Sequence, residues 1–465
     1  MSPKLSVGKE RLTSSGLSGL LQKYWTDPRY RWLIFLFALA FAVRLAWILY
    51  SHRAPIGLHD PVAYDALAQN ILDGKGYAQP ATGVTTAADY FRQGPTVPTA
   101  YFPPGYPAAL AAVYFFFGRS VFWGEMFNVL LGAATVVITY ELARRLLGLS
   151  VARIAGLLLA FFPNQVFYTG GLMSEVLFTF LLMSGLLILM AQPWPKDGIS
   201  LKRLALAGLL LGAAAMVRPI VLVVPIVLFL YWLWVFPNRA RVLAQAGVLL
   251  LVLAAIIVPW SIRNIISMHA FVLVSTNSGD DFCIGNHEGA TGQFVFAGPC
   301  FEGFENTTDR RELEIDGYRE GIRRGFEFIL KHPADELGLI FEKAYFLVYR
   351  DDEGLIVNES YGDRFFIEKE MREYLSTAAN AYYFVAIGWA VLGLLSWFRR
   401  PDPRRTFLVI MLGCLLAVPL AFFGDIRFHF PAIPLLCVLA ATGVMAAWRA
   451  RGIPSQDGDP GAPSG

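Results

Sequence analysis

The sequence carries little charge for its length. Of its 465 residues only 16% are Asp, Glu, Lys or Arg, whereas 55% are hydrophobic, and the mean hydropathy is +0.49. A soluble protein of this size usually has about 25% charged residues. The shortage of charge excludes an ordinary soluble enzyme and indicates an integral membrane protein.

Metal-binding patterns and a continuous basic stripe are also missing. The histidines that could bind a metal are scattered over separate segments without a spacing such as H-x-x-x-H, so a divalent metal ion stays an open alternative without support. They are His59, His269, His287 and His429. The formal net charge is only +3, and the basic residues form short patches beside apolar runs. This distribution argues against nucleic acid as a partner.

Apolar segments are abundant, and ten of them predict an all-α polytopic protein of about ten transmembrane helices, within a range of nine to twelve. They cover residues 30–50, 121–143, 154–168, 176–191, 204–217, 220–236, 242–260, 382–398, 407–423 and 430–448. Lysines and arginines precede the first segment, which places the N-terminus in the cytoplasm. Alternating the spans puts each later basic cluster on the same side. We therefore expect a multi-pass protein of the plasma (inner) membrane with both termini cytoplasmic.

The segment "YFPPGYPAALAAVYFFFG" at residues 101–118 is apolar but contains three prolines. As a span it would move every later basic cluster to the outer side, so we expect a re-entrant or interfacial segment instead. The predicted organisation follows from this choice. It consists of a cytoplasmic segment 1–29, a transmembrane module 30–260 with a first outer loop 51–120, an extracytoplasmic loop domain 261–381, transmembrane helices 382–448 and a disordered cytoplasmic tail 449–465.

The second outer loop has mixed content. The stretch "TNSGDDFCIGNHEGATG" is rich in glycine and polar residues and predicts turns. Apolar residues at helical spacing from Ile315 to Ile329 predict one helix, and Pro333 is placed to open a second one through Val348. Four cysteines are present. Two lie in this loop, where a disulfide or free thiols are equal alternatives, and the other two lie in spans and should be free. These pairs are Cys283 with Cys300, and Cys414 with Cys437.

The first outer loop opens with "HDPVAYDALAQNILDGKGY". Asp60 before Pro61 is typical of a helix start with Asp as N-cap, so capping alone would explain this acid. The helix should stop at Gly74 and lie along the membrane interface with Asp60 pointing into the space above. A second acid, Glu175, follows Ser174 at the outer start of a span, where dipole stabilisation is sufficient explanation. Two carboxylates at one depth, however, also suit proton abstraction or metal binding.

Four arginines lie in the outer half of the membrane or just above it, against the positive-inside trend. They are Arg44, Arg218, Arg263 and Arg427. Snorkelling to lipid phosphates would explain any one of them. Four together favour a phosphate-binding function, because guanidinium groups bind phosphate oxygens through paired hydrogen bonds.

These motifs, in this order, resemble those of the polyprenyl-phosphate-sugar-dependent glycosyltransferases of the GT-C fold. The branch is that of protein O-mannosyltransferases and lipid A aminoarabinose transferases. The resemblance rests on Asp60 four residues before Tyr64 and on the motifs "ILDGKGY", "YFPPGYP", "ELARRLLG", "SEVLFTFLL", "VRPIVLVVP", "VPWSIRN" and "RFHFPAIPLL". It extends from about Arg44 to Leu436. One difference is that Pro61 follows Asp60 where an Asp-Glu pair is common.

The resemblance implies a GT-C-like helical bundle with Asp60 as catalytic base and Glu175 as a second acid. The residues expected to bind substrate are Tyr64, Arg44, Arg218, Arg263, Asn264 and Arg427. The implied reaction moves a sugar from a polyprenyl-phosphate carrier to a hydroxyl of a glycan, lipid or protein acceptor on the extracytoplasmic face, with inversion. A transporter or lipid flippase is the alternative, and it would require an inverted repeat and charges near the midplane.

Overall fold

The computed structural model describes residues 28–54, 59–81, 87–91, 94–194, 199–296, 298–303, 309–359, 365–397 and 402–451. The predicted cytoplasmic segment 1–29 and tail 449–465 lie almost entirely outside these residues. Within them the secondary-structure elements are helices, apart from one two-stranded antiparallel sheet of β1 (Ala78–Pro80) and β2 (Thr96–Pro98). The all-α prediction is therefore confirmed.

The first half of the chain contains ten helices among its described residues. They are α1 (Pro28–Ser51), α2 (Asp60–Leu72), α3 (Gly105–Phe117), α4 (Val121–Leu147), α5 (Leu149–Ala160), α6 (Pro163–Phe167), α7 (Ser174–Met190), α8 (Leu201–Val217), α9 (Val223–Val235) and α10 (Arg239–Met268). The second half adds α11 (Asn277–Gly285), α12 (Gly298–Phe301), α13 (Arg310–Lys331), α14 (Pro333–Val348), α15 (Glu353–Asn358), α16 (Lys369–Trp397), α17 (Pro403–Ala417) and α18 (Ile433–Ala450). Short 3₁₀ turns cover Ala87–Phe91, Tyr168–Gly170, Pro219–Leu222, Val418–Ala421 and Ile426–Ala432.

Every apolar segment that predicted a span forms a helix, but the helices differ in length. Within the described ranges, six helices are long and apolar enough to cross a bilayer, or seven if α5 and α6, which are bent by 59°, form one broken span. The six are Tyr30–Ser51, Val121–Leu147, Arg239–Met268, Lys369–Trp397, Pro403–Ala421 and Ile426–Ala450. Shorter apolar helices, among them α7 and Pro219–Val235, complete the bundle. The chain is a polytopic membrane protein.

The helices pack into two main buried clusters. One lies among α7, α8 and α9 around the fully buried Trp232, and the other joins α1, α4, α5, α16 and α18 through many alanines. Gly393 on α16 and Gly443 on α18 allow the closest approach, because a side chain at either position would clash with the backbone of the other helix. Small residues permit such contacts between membrane helices. Large apolar side chains such as Leu251 remain exposed on the outside of the bundle, where lipid replaces water.

The segment with three prolines forms the 13-residue helix α3, which is too short to span a bilayer. Tyr106 and Tyr114 point into the protein, whereas Phe115, Phe116 and Phe117 at its end are exposed. The prolines precede or open the helix, where their missing N–H groups remove no helical hydrogen bond.

Helix α2 begins at Asp60 and ends before Gly74, which has a φ of +72°, as the sequence predicts. Two expectations are wrong. The N-cap is His59, so Asp60 is the first helical residue and not the cap. The helix is also covered by protein and does not lie open along the membrane, because Asp65 accepts hydrogen bonds from Arg119 at 2.8 Å and from the Tyr114 hydroxyl at 2.9 Å. These contacts attach α2 to α3 and to the loop behind it.

The second loop contains the two predicted helices, α13 and α14, and α14 has the predicted bounds Pro333–Val348. The stretch that predicts turns instead contains α11. Its Gly279 lies against the backbone of Tyr318 and its Gly285 against that of Phe422, so close packing stabilises a helix that glycine disfavours by itself. A disulfide joins Cys283 of α11 to Cys300 of α12. Cys414 and Cys437 are free, as expected.

Candidate active site

A cavity of about 1630 Å³ lies where the loops cover one end of the helix bundle. Its walls come from α2, from the segment before α3, from the start of α7, the end of α8, α11, α13, α15 and the turn Ile426–Ala432. Its charged lining residues are Asp60, Asp280, Asp281, Glu314, Glu353, Asp425, Arg218, Arg310, Arg350 and Arg427. The cavity is larger than the roughly 300–1,000 Å³ of a typical small-molecule pocket.

The contact between Asp60 and Arg427 lies in this wall. Nη1 of Arg427 is 3.2 Å from Oδ2 of Asp60, and both side chains keep part of their surface open. Asp425 fixes Arg427 from behind. Its carboxylate accepts a hydrogen bond from the Arg427 backbone N–H at 2.9 Å and lies 3.6 Å from the guanidinium Nε. The sequence thus correctly places Asp60 beside one of the four predicted arginines, although they are distant in the chain.

A second charged pair lies beside the first. Arg218 ends α8 in an extended conformation because Pro219 follows it. Its Nε donates to the Ser174 hydroxyl at 3.1 Å, and its Nη2 donates to the carboxylate of Glu175. Glu175 is fully buried and does not line the cavity. It therefore positions Arg218 and does not reach the space in which a substrate would lie.

Tyr64 lies one helical turn after Asp60 and lines the cavity. Burial raises the pKa of Tyr64 above its usual value, and the neighbouring Asp60 raises it further. The phenol consequently stays neutral and can donate a hydrogen bond.

The structure adds two acids from α11 to the site. Asp280 accepts a hydrogen bond from the Tyr101 hydroxyl at 3.1 Å, and Asp281 accepts one from Asn277 at 3.3 Å. Burial raises the pKa of Asp281 to about 7, with Arg427 opposing this shift and Asp280 supporting it. Neither acid is predicted as a site residue from the sequence, because the stretch that contains them predicts turns. The adjacent pair of acids in the second large loop was the available signal.

Glu314 of α13 holds the rim of the cavity together. Its two oxygens accept hydrogen bonds from Gln79 at 3.1 Å, Thr99 at 2.6 Å, the Ala100 N–H at 2.8 Å and Thr276 at 2.8 Å. These donors connect the β1–β2 hairpin with the start of α11. Helical periodicity predicted α13, but nothing in the sequence indicated where this carboxylate points.

Two of the predicted arginines and Asn264 do not line the cavity. Arg44 is buried within the bundle, where it donates to the backbone carbonyls of Ala160 at 3.2 Å and Leu159 at 3.3 Å. It thus satisfies carbonyls at the end of α5. Asn264 is also buried and donates to the carbonyl of Val272 at 3.0 Å.

Arg263 has a similar structural position. It donates to the carbonyls of Tyr77 at 2.6 Å and Thr99 at 2.7 Å, and its guanidinium lies 4.8 Å from the centre of the Trp260 ring. These contacts attach the β1–β2 hairpin to the end of α10. The structure therefore brings together Asp60, Tyr64, Arg218 and Arg427 of the predicted site residues, with Glu175 behind them.

One wall of the cavity is apolar. It includes Ile220, Val223 and Ile226 from the segment after Arg218, and Phe296 from the second loop. Ile226 is 57% exposed and Phe296 is 76% exposed. The cavity thus combines a charged end with an apolar wall on the helix that continues into the bundle. Among the residues that the structure describes, no group of three or more His, Cys, Asp or Glu side chains could hold a metal ion.

Comparison with known proteins gives both a family match and a fold match. Residues 102–262 match the family model described as dolichyl-phosphate-mannose-protein mannosyltransferase. The archaeal oligosaccharyltransferase AglB from Archaeoglobus fulgidus, solved with an inhibitory peptide and a dolichol-phosphate, is similar with a TM-score of 0.56 and 15% identity over 92% of this chain and 51% of that chain. The apo form of the Archaeoglobus fulgidus oligosaccharyltransferase is similar with a TM-score of 0.54 and 14% identity. The match covers 92% of this chain and 51% of that chain.

ArnT from Cupriavidus metallidurans bound to undecaprenyl phosphate matches with a TM-score of 0.40 and 15% identity over 90% of this chain and 78% of that chain. No curated protein matches the sequence. The chain spans about half the length of the archaeal oligosaccharyltransferase. With the family match across residues 102–262, the chain is a membrane protein with the GT-C fold of glycosyltransferases, as its sequence motifs indicate.

Proposed function

We propose that the protein transfers a sugar from a polyprenyl-phosphate carrier to an acceptor hydroxyl, with inversion at the anomeric carbon. The observation that carries this proposal is the contact of Asp60 with Arg427 in a cavity that also has an apolar wall. A polyprenyl-phosphate sugar needs three surfaces in one cavity: a carboxylate near its sugar, a guanidinium for its phosphate and an apolar wall for its polyprenyl chain. Asp60, Arg427 and the apolar wall provide them. The alternative of a transporter or flippase is not favoured, because the family match and the fold both point to glycosyltransferases.

The donor would bind with its isoprenoid chain along the exposed apolar residues such as Ile226 and its phosphate at Arg427 and Arg218. Arg427 retains donors for a phosphate while it contacts Asp60, because a guanidinium carries five N–H groups. Glu175 and Ser174 fix the direction of Arg218 before the donor arrives. Such preorganisation lowers the cost of binding a charged group.

The reaction would begin with an acceptor hydroxyl beside Asp60. Its oxygen attacks the anomeric carbon from the side opposite the phosphate, and Asp60 accepts its proton. The bond between the anomeric carbon and the phosphate oxygen breaks, and its electron pair stays on that oxygen. General base catalysis of this kind typically contributes about 10²–10⁴-fold to the rate. Arg427 and Arg218 stabilise the negative charge that develops on the phosphate.

The positions of the basic clusters support an extracytoplasmic site in the plasma membrane with both termini cytoplasmic. Helix α7 begins with Ser174 at the cavity and ends at Met190. Near that far end, Arg145 donates to the Ala191 carbonyl, Arg203 to the Leu189 carbonyl and Arg404 to the Met190 carbonyl. Basic residues thus gather at the end away from the cavity, and the positive-inside rule places that end in the cytoplasm.

The experiment that tests this function uses membranes or nanodiscs with the full chain, radiolabelled polyprenyl-phosphate sugars and extracts of cell-envelope acceptors. We expect the wild type to transfer label and Asp60→Asn to lose at least a hundredfold of the rate. Asp73→Asn is the matched control, because Asp73 is an exposed carboxylate at the end of the same helix and lies outside the cavity. Wild-type activity in Asp60→Asn would remove Asp60 from the role of base.

A further inference from the structure

Glu353 is a carboxyl group of the cavity that the proposed reaction has not yet used. It is the first residue of α15 and lines the cavity, yet only 7% of its surface is exposed. No hydrogen bond or ion pair connects its side chain to any residue that the structure describes. Burying an unpaired carboxyl opposes folding, so such a group at the edge of a cavity indicates a ligand.

The backbone around Glu353 is held firmly. The N–H of Gly354 donates to Oδ1 of Asn164 at 2.8 Å, and Gly354 packs so closely on Phe167 that a side chain there would clash. Asn358 at the end of α15 donates to the Phe167 carbonyl at 2.8 Å. Helix α15 is therefore fixed on α6, and the Glu353 side chain is presented to the cavity by a rigid support.

Several charged and titratable groups surround Glu353. Asp425 and Arg427 near the turn before α18, and Arg350 and Asp352 in the chain before α15, lie within electrostatic range of its carboxyl group. Tyr349 also lies within electrostatic range. The elements on which α15 packs, residues 163–170, carry no charged residue, and Tyr168 is their one titratable side chain. Arg427 and Arg350 are already engaged by Asp60 and Asp352, at 3.2 Å in each case.

We propose that Glu353 is a substrate-contacting residue that donates a hydrogen bond from its carboxyl group to the phosphate of the lipid carrier. This inference rests on the proposed function. The phosphate must lie at Arg427 if Asp60 is to reach the acceptor at the adjacent anomeric carbon. Glu353 lines the same cavity as Arg427 and lies within its electrostatic range. An ionised Glu353 would repel the phosphate, whereas a protonated carboxyl can donate its O–H to a phosphate oxygen.

The electrostatics of the site agree with a protonated carboxyl. Burial raises the pKa of Glu353 to about 8, with Asp425 adding to the shift and Arg427 opposing it. An arriving phosphate anion would raise this pKa further. The proton stays on Glu353 during the reaction, because the second pKa of a phosphate monoester is about 6 and transfer to it would be uphill. The hydrogen bond strengthens as the phosphate gains negative charge, which favours the transition state.

The experiment measures the affinity of the full chain in nanodiscs for undecaprenyl monophosphate between pH 6.5 and 9.5. The samples are the wild type, Glu353→Gln, Glu353→Ala and the control Glu342→Gln, whose glutamate is exposed on α14 outside the cavity. We expect wild-type affinity to fall as the pH rises above about 8, because Glu353 loses its proton. Glu353→Gln should lack this alkaline fall because its amide N–H donates at every pH. Glu353→Ala should bind about tenfold to a hundredfold more weakly at pH 7.

Wild-type affinity in Glu353→Ala at pH 7, or an unchanged alkaline fall in Glu353→Gln, would overturn the assignment. The unfolding temperature distinguishes a role of Glu353 in binding phosphate from a role in stabilising the fold. Since the carboxyl has no partner within the described part of the chain, the unfolding temperature of Glu353→Gln should equal or exceed that of the wild type, and a clear decrease would contradict the proposal. Equal binding of undecaprenol and undecaprenyl phosphate by the wild type would instead defeat the proposed function itself.

Discussion

Arg427 contacts Asp60 at 3.2 Å across a sequence separation of 367 residues. The contact connects the first loop to the turn before the last helix. The backbone N–H of Arg427 also donates to Oδ1 of Asp425 at 2.9 Å, which holds the arginine in place. A proposed base and a proposed phosphate ligand are thereby fixed relative to each other before substrate binds. This geometry matters because catalytic groups are effective only when they are positioned in advance.

Replacing Arg427 should therefore affect catalysis more than folding. We expect Arg427→Ala to lower the transfer rate about 10²–10³-fold, since it removes a donor to the developing charge on the phosphate. Arg427→Lys should recover only part of this rate because an ammonium group lacks the planar fork. Steady-state rates in nanodiscs check this. Arg323→Ala is the control, since Arg323 is exposed and pairs with Glu320 and Glu327 of its own helix α13. A rate within threefold of wild type for Arg427→Ala would contradict the prediction.

The buried Glu175–Arg218 pair allows stability and substrate binding to be separated. Glu175→Leu removes the carboxylate that pairs with the Arg218 guanidinium and leaves its contact with the Ser174 hydroxyl, so we expect a loss of about 3–5 kcal/mol in unfolding free energy. The double variant Glu175→Leu/Arg218→Leu should recover most of that stability, because no unpaired charge remains. The double variant should still bind the polyprenyl-phosphate sugar poorly, because Arg218 is absent. Thermal unfolding and donor KM are the two measurements, and a double variant with wild-type KM would exclude Arg218 from phosphate binding.

Much of the fold could be predicted because apolar runs and helical periodicity are local properties of the chain. Each predicted apolar segment forms a helix, and the bounds of α14 follow from Pro333 and the periodicity after it. Helix α11 could not be predicted in this way. Its glycines fit only because the backbones of α13 and of the segment before α18 approach them closely, and such contacts have no signal in the local sequence.

The site was predictable only in part for the same reason. The order of motifs predicted Asp60 and Arg427 as site residues, and the structure brings them into contact. The direction of a side chain, however, depends on helix rotation and on packing partners far away in the chain. The sequence predicts similar membrane depths for Arg44, Arg263 and the other two arginines, yet Arg44 and Arg263 donate to backbone carbonyls. Glu314 and Glu353 lie on helices of the second loop. Which side of each helix lines the cavity depends on how this loop folds.

For Arg263 the role predicted from the sequence differs clearly from the contacts that the structure shows. Its position in "VPWSIRN" predicts a phosphate ligand, whereas the structure shows it bound to the carbonyls of Tyr77 and Thr99. Arg263→Ala would leave both carbonyls without this donor, and we expect a loss of about 2–3 kcal/mol in unfolding free energy. The donor KM of the folded fraction should stay within twofold of wild type. Thermal unfolding and donor titration measure the two effects. A tenfold increase in KM at an unchanged unfolding temperature would instead return Arg263 to the phosphate site.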